Sequence, residues 1–182
     1  MACDLQGVHG RILSTFFQKN RREGVSMITE SIPGFSDIAV SHLVLDYNGT
    51  LALDGKPLVG GRERIEALSG SLTIHVVTAD TFGRAGDALA DWPVFLTVLT
   101  PGEEAEQKAT YVQTLGADSV VAVGNGRNDC RMLSLACVGV AVTGPEGAAS
   151  PALMSADIVC PDILAALDLL LHPNRLKATL RT

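Results

Sequence analysis

Aromatic residues make up only 4% of this sequence, so its core has to be assembled from aliphatic side chains. No apolar run reaches the roughly 18 residues that would span a bilayer, and the N-terminus carries no apolar leader core of the usual kind. A membrane association is therefore not expected. Basic charge is scarce too. The net charge is −6 and no basic stripe is visible, which argues against nucleic acid as a partner. The four cysteines, Cys3, Cys130, Cys137 and Cys160, form no CxxC pair. Reduced, buried thiols in a cytoplasmic protein are the expectation. No GxGxxG follows the first buried strand, which counts against a dinucleotide-binding protein.

What is present is a chain of 182 residues, 47% hydrophobic, with a mean hydropathy of +0.26. That length suits one domain with a full core. Residues 1–26 differ from the rest. Gly10 to Lys19 has the pattern of a short helix, and Lys19 to Gly24 is polar and charged. We expect 1–26 to be an upstream extension and Met27 the natural first residue, with 27–182 forming a single domain.

The centre of the pattern is His42 to Leu51, HLVLDYNGTL. Leu43-Val44-Leu45 is too short for a helix and reads as a buried strand that stops at Asp46. Buried strands of this kind occur in parallel sheets, where ligands bind beyond the carboxyl ends. A carboxylate held there can serve as nucleophile, metal ligand or both. An ordinary Asp-Asn-Gly turn after a strand is the bland alternative.

On either side lie two turn signals. Ile32-Pro33-Gly34 predicts an N-terminal hairpin within Met27 to Val40. Asp54-Gly55 predicts a small hairpin within Leu51 to Val59, standing over Asp46 as a flap. From Gly60 onward, helix and strand alternate. Helical spacing covers Gly61–Leu68, Thr81–Leu89, Glu103–Leu115, Arg131–Ala136 and Asp162–Leu171. Strands are predicted at Leu72–Val77, Val94–Leu99, Ser119–Val123, Val138–Val142 and Ala156–Cys160. Repeated βα units imply an α/β sheet with right-handed crossovers.

Three of these strands end in polar loops: Asp46 in DYNGT, Thr78 in TAD, and Asn125 to Asp129 in NGRND. In a parallel sheet all three ends meet at one edge, and Lys108 lies on the helix between the second and the third. The set suits phosphoryl transfer. Lys108, Thr78 and loop amides can bind phosphate oxygens. Asp46 and Asp129 offer hard oxygens to one Mg²⁺, which typically takes one or two carboxylates.

These motifs, in this order, resemble the haloacid dehalogenase superfamily of aspartyl-phosphate enzymes. Within it the phosphorylation domain of P-type ATPases is the closest likeness. DYNGT matches its first motif at Asp46, Gly49 and Thr50, and Thr78-Ala79-Asp80 its second. Lys108 matches its third, and GNGRNDCRML its last at Gly124, Gly126, Asn128, Asp129 and Leu133. The resemblance covers about Leu43 to Leu171. It implies a Rossmannoid three-layer α/β/α sandwich with a mainly parallel sheet. Only 31 residues lie between Asp46 and Thr78 and 29 between Thr78 and Lys108, so neither gap holds a substantial cap. The resemblance is to a capless soluble member rather than a pump.

The implied roles follow residue by residue. Asp46 attacks phosphorus, and Thr78, Gly49 and the Ala79 amide bind phosphoryl oxygens. Lys108 steadies Asp46 and the phosphate. Asp129, Asp46, Asn125 and the Asn48 backbone carbonyl hold Mg²⁺. Thr50 and Asn128 support the loops. The implied substrate is a phosphorylated small molecule or phosphoprotein, and the two hairpins are the expected surfaces of a homo-oligomer. Two positions depart from the family pattern. Asn48 stands where superfamily phosphatases place an acid, and Asn125 where they place a metal-binding Asp. An amide cannot shuttle the proton, and general acid–base help is typically worth about 10²–10⁴ in rate. The alternative is thus a low-turnover or non-catalytic phosphate-binding regulatory module.

Overall fold

The computed structural model describes residues 27–80 and 83–182. The predicted Gly10–Lys19 helix, Cys3 and the proposed 1–26 extension lie outside them. Ten strands are described: β1 (Ile28–Ser31), β2 (Asp37–Val40), β3 (His42–Leu45), β4 (Ala52–Leu53), β5 (Lys56–Pro57), β6 (Thr73–Thr78), β7 (Phe95–Val98), β8 (Val120–Gly124), β9 (Val138–Val142) and β10 (Ile158–Cys160). The helices are α1 (Gly61–Leu68), α2 (Ala85–Ala88), α3 (Glu104–Leu115), α4 (Cys130–Leu135), α5 (Ser150–Ser155), α6 (Ile163–Leu171) and α7 (Pro173–Leu180).

Six strands form one sheet in the order β10-β9-β8-β3-β6-β7, and every neighbouring pair is parallel. β3 and β8 lie at the centre, where strands of aliphatic residues are buried on both faces. Alternation of side chains divides the core into two. Leu43, Leu45, Val121 and Val123 face α1 and α6, packing with Ile65, Leu68, Ile163 and Leu167. Val44, Val120 and Ala122 face the other way, against Val112 of α3 and Met132 and Leu133 of α4. This is the expected three-layer sandwich. The order reverses between β3 and β8, so the crevice at their carboxyl ends is the topological switch point.

The expected N-terminal hairpin is β1–β2, and the flap hairpin is β4–β5. Tyr47 is wholly buried and its hydroxyl donates to the Gly55 carbonyl at 3.0 Å, fixing the tip of the flap. Two expectations change. The Thr81–Leu89 helix shrinks to α2, with Thr81 and Phe82 outside the described residues. Asp80 sits at φ 46 and its carboxylate accepts from the N–H groups of Arg84 and Ala85, so the helix starts late. Among the described cysteines only Cys160 is fully buried, Cys130 and Cys137 being half-buried; all three are free thiols.

A polar chain crosses the α3 face. The Thr97 hydroxyl donates to the Tyr111 oxygen at 3.5 Å. The Tyr111 hydroxyl lies 2.9 Å from His75 Nδ1, and His75 Nε2 lies 3.1 Å from His42 Nδ1. One proton per contact satisfies the chain when both imidazoles are neutral. Burial, and then the charge of His42, pushes His75 from 6.5 down to about 3; burial also lowers His42. The unfolded chain therefore binds protons that the folded one refuses. The share of stability tied to neutral His75 is full above pH 6.5 and is expected to fall as pH drops toward 3, by at most about 1.4 kcal/mol per pH unit; the partly exposed His42 adds a smaller, solvent-screened share. Urea denaturation between pH 7 and pH 5 measures this slope, and His75→Phe should flatten it.

Candidate active site

Asp46 follows β3 directly. The strand's two-residue period turns its side chain toward the same face as Val44, the face covered by α3. Its backbone N–H donates to the Val123 carbonyl at 2.9 Å, which fixes it against β8. α3 carries acidic residues in its first turn, as the helix dipole favours, and presents Lys108 inward. Lys108 Nζ lies 2.6 Å from Asp46 Oδ1 and 2.6 Å from Asp129 Oδ1. Lys108 is 1% exposed and Asp129 fully buried.

Asp129 is held from its other oxygen as well. Oδ2 accepts from the N–H groups of Asn125 at 3.0 Å and Gly126 at 2.8 Å. The carboxylate folds back over Gly124, where a Cβ would lie 2.5 Å from its carboxyl carbon. Only glycine admits that approach. Three of about four acceptor positions on this carboxylate are filled, leaving one.

The trio holds two negative charges and one positive. Burial, and then the neighbouring Asp129 charge, lifts the Asp46 carboxyl from 3.8 to about 6 despite the pull of Lys108. Burial alone would lower Lys108, but the two carboxylates outweigh it and hold the ammonium above its usual range. Lys108 is therefore a fixed cation beside Asp46.

The loop after Asp46 is tight. Gly49 N–H donates to Ala52 O at 2.8 Å and Ala52 N–H to Tyr47 O at 2.8 Å. Gly49 takes φ +80, and a Cβ there would lie 2.5 Å from Asn125 Nδ2. The Thr50 hydroxyl donates to Asn125 Oδ1 at 3.3 Å, and Asn125 Nδ2 donates to Gly147 O at 2.9 Å. Asn125 thus ties three loops together. Asn48 Oδ1 is buried without a hydrogen-bond partner.

Thr78 and Ala79 stand at the end of β6, beside β3. The buried Thr78 oxygen accepts from the Asp80 N–H at 2.9 Å; neither residue hydrogen-bonds the trio. Asn128 is exposed and leans on Gly126. Asp80 spends a carboxylate oxygen on the start of α2. Sequence reading overlooked Tyr47 and the His75 chain, because their partners are set by tertiary contacts with no local motif.

The donors for a metal are hard oxygens: Asp46, the remaining position on Asp129, and the amides of Asn48 and Asn125. The unpartnered buried Asn48 oxygen fits such a group, and the set suits Mg²⁺ keeping several waters. Among the described residues no group of three or more His, Cys, Asp or Glu forms a metal cluster.

No protein-family profile matches the chain. An uncharacterized protein of Methanocaldococcus jannaschii is 55% identical over 62 residues, 34% of this chain and 67% of that protein. A solved 3-deoxy-D-manno-octulosonate 8-phosphate phosphatase of Moraxella catarrhalis, in complex with magnesium, phosphate and the sugar acid, superposes with a TM-score of 0.62 at 13% identity, covering 76% of this chain and 90% of that one. A haloacid dehalogenase-like hydrolase of Streptococcus pneumoniae gives a TM-score of 0.55 at 12% identity, covering 72% and 98%.

Removing one carboxylate from the trio should be severe. Asp129→Ala strands a buried ammonium on one partner and frees two amides. A loss of about 3–5 kcal/mol in stability is expected, read from urea denaturation.

Proposed function

The chain belongs to one family with the Methanocaldococcus jannaschii protein and has the haloacid dehalogenase fold, and on that premise we propose that it hydrolyses phosphoric monoesters through a covalent phosphoryl group on Asp46. The observation that carries this reading is the Lys108 ammonium 2.6 Å from both Asp46 and Asp129 at the switch point of the sheet. Asp46 is the nucleophile. Its oxygen forms a bond to phosphorus as the ester P–O bond breaks, and the alkoxide leaves as the alcohol, taking a proton from water. A second water then attacks phosphorus, restoring Asp46 and releasing inorganic phosphate.

The surrounding residues bind and orient. Lys108 keeps Asp46 ionised and offers charge to the phosphoryl oxygens. The Thr78 hydroxyl and the Ala79 amide are the donors at the edge where the phosphate enters; the Gly49 amide, expected among them, is instead spent within its own loop on the Ala52 carbonyl. Asp46, Asp129, Asn48 and Asn125 are the groups that would hold Mg²⁺, supported by the magnesium bound in the Moraxella catarrhalis phosphatase. When bound, the ion would offset the repulsion between Asp46 and an incoming phosphate dianion. Thr50 and Asn128 support the loops. The substrate is a phosphorylated small molecule or phosphoprotein, and the likeness to ATPase phosphorylation domains rests on the four motifs alone.

Asn48 favours a second reading. It is an amide with a buried, unpartnered oxygen in the position of the family's acid. With no proton to give, it leaves turnover about 10²–10⁴ slower than a phosphatase with that acid, and the chain then acts chiefly as a phosphate-binding regulatory module.

An aryl phosphate assay with Mg²⁺ tests the first reading. Wild type should release phosphate and Asp46→Asn should lose at least about a thousandfold in rate, an effect in the range of lost catalytic groups. Activity that survives the substitution rules out Asp46 as nucleophile. No turnover, with beryllium fluoride still bound, selects the regulatory module.

A further inference from the structure

Glu146 lies outside every motif in the chain, in the turn between β9 and α5. That turn is strapped to the site. The Ala149 N–H donates to the Asn125 carbonyl at 2.9 Å, and Asn125 Nδ2 donates to the Gly147 carbonyl at 2.9 Å. Gly144, at φ +46, runs over Gly49, with its would-be Cβ 3.4 Å from the Gly49 carbonyl oxygen. Between these anchors the Glu146 side chain reaches back to the loop that carries Asp46. The point where Gly49 would bear a Cβ is 2.9 Å from Glu146 Oε2 and 2.5 Å from Asn125 Nδ2. A carboxylate thus stands against the amide across a bare glycine.

Its surroundings give it no other occupation. Glu146 is exposed, and among the described residues it has no hydrogen-bond or ion-pair partner. Other charged groups near the site are committed. Asp129 accepts from Lys108 and two amides and keeps a single open position, and Asp80 is turned to α2. Asn125 contributes no charge to the loop it occupies. One free carboxylate therefore remains at the mouth, and it faces the residue that lacks one.

We propose that Glu146 is a cation-holding residue of this site, supplying from the β9–α5 turn the negative charge that Asn125 does not. It rests on the hydrolase reading above, and adds to it a residue that the motifs do not contain. Glu146 belongs to no cluster of three acidic ligands, so it acts through the waters that Mg²⁺ retains rather than by direct ligation. Such outer groups orient the bound waters and set affinity. The Gly49 hydrogen that faces both side chains is part of the device, because any larger residue would fill the space between them.

Mn²⁺ alone is the probe, titrated into the full chain and followed by electron paramagnetic resonance of the free ion. Wild type should bind. Glu146→Gln should weaken binding about tenfold, in the range for outer-shell partners, with an unchanged circular dichroism spectrum. Asn125→Asp in the Glu146→Gln background should recover the loss, which a merely structural Glu146 would not allow. Glu146→Asp keeps the charge and should lie between. Equal affinities for wild type and Glu146→Gln overturn the proposal and leave the hydrolase reading standing. No Mn²⁺ binding by wild type overturns both the proposal and the assignment of a divalent cation to this site.

Discussion

A lysine ammonium buried between two carboxylates is the constraint on which this architecture turns. Removing three charges from water costs several kcal/mol per ion, and Lys108 recovers that only with Asp46 and Asp129 both at 2.6 Å. Three elements must therefore arrive in register: the end of β3, the first turns of α3 and the loop after β8. The fold supplies that register through the parallel sheet. β8 pairs β3 from His42↔Val120 to Leu45↔Val123, so the two loops leave the sheet at the same height. Such a triad is a poor source of stability and a good source of specificity, because a one-residue slip would strand a charge.

The electrostatics of the trio also set its chemistry. Asp46 is lifted toward neutrality by burial and by Asp129, which makes its carboxylate more basic than a solvated one. Lys108 counters by keeping it ionised. With Asn at 48 and 125, the site carries less negative charge than acids at those two positions would give. It is correspondingly less repellent to a dianion and less able to retain a metal. These two effects oppose one another, and their balance decides whether such a centre turns over or holds its ligand.

Much of this was legible in the sequence. The strand ending at Asp46, the βα alternation and the convergence of Asp46, Lys108 and Asp129 follow from pattern, because a parallel sheet sends its strand ends to one edge. Helices α5 and α7 were not read. Each carries a proline in its first turn, Pro151 or Pro173, a residue that breaks helices inside but is favoured there. The late start of α2 was equally hidden, since it depends on Asp80 adopting a left-handed conformation. Tyr47, His75 and Glu146 carry no motif; Tyr47 and His75 meet partners 8 and 36 residues away, and Glu146 approaches the Gly49 loop from far along the chain, all brought close only by packing.

The bond from Tyr47 to the flap goes to a main-chain carbonyl, and that choice has a consequence for how such a protein diversifies. Every amino acid presents the same carbonyl, so this anchor does not depend on the side chains at the exposed positions of the hairpin. Exposed Lys56 can drift through substitution while the hairpin backbone stays where it is, whereas Asp54 and Gly55, both at positive φ, and Leu58, packed on the core, are held. The outer surface of the hairpin can then be rewritten without disturbing the buried trio beneath the sheet edge.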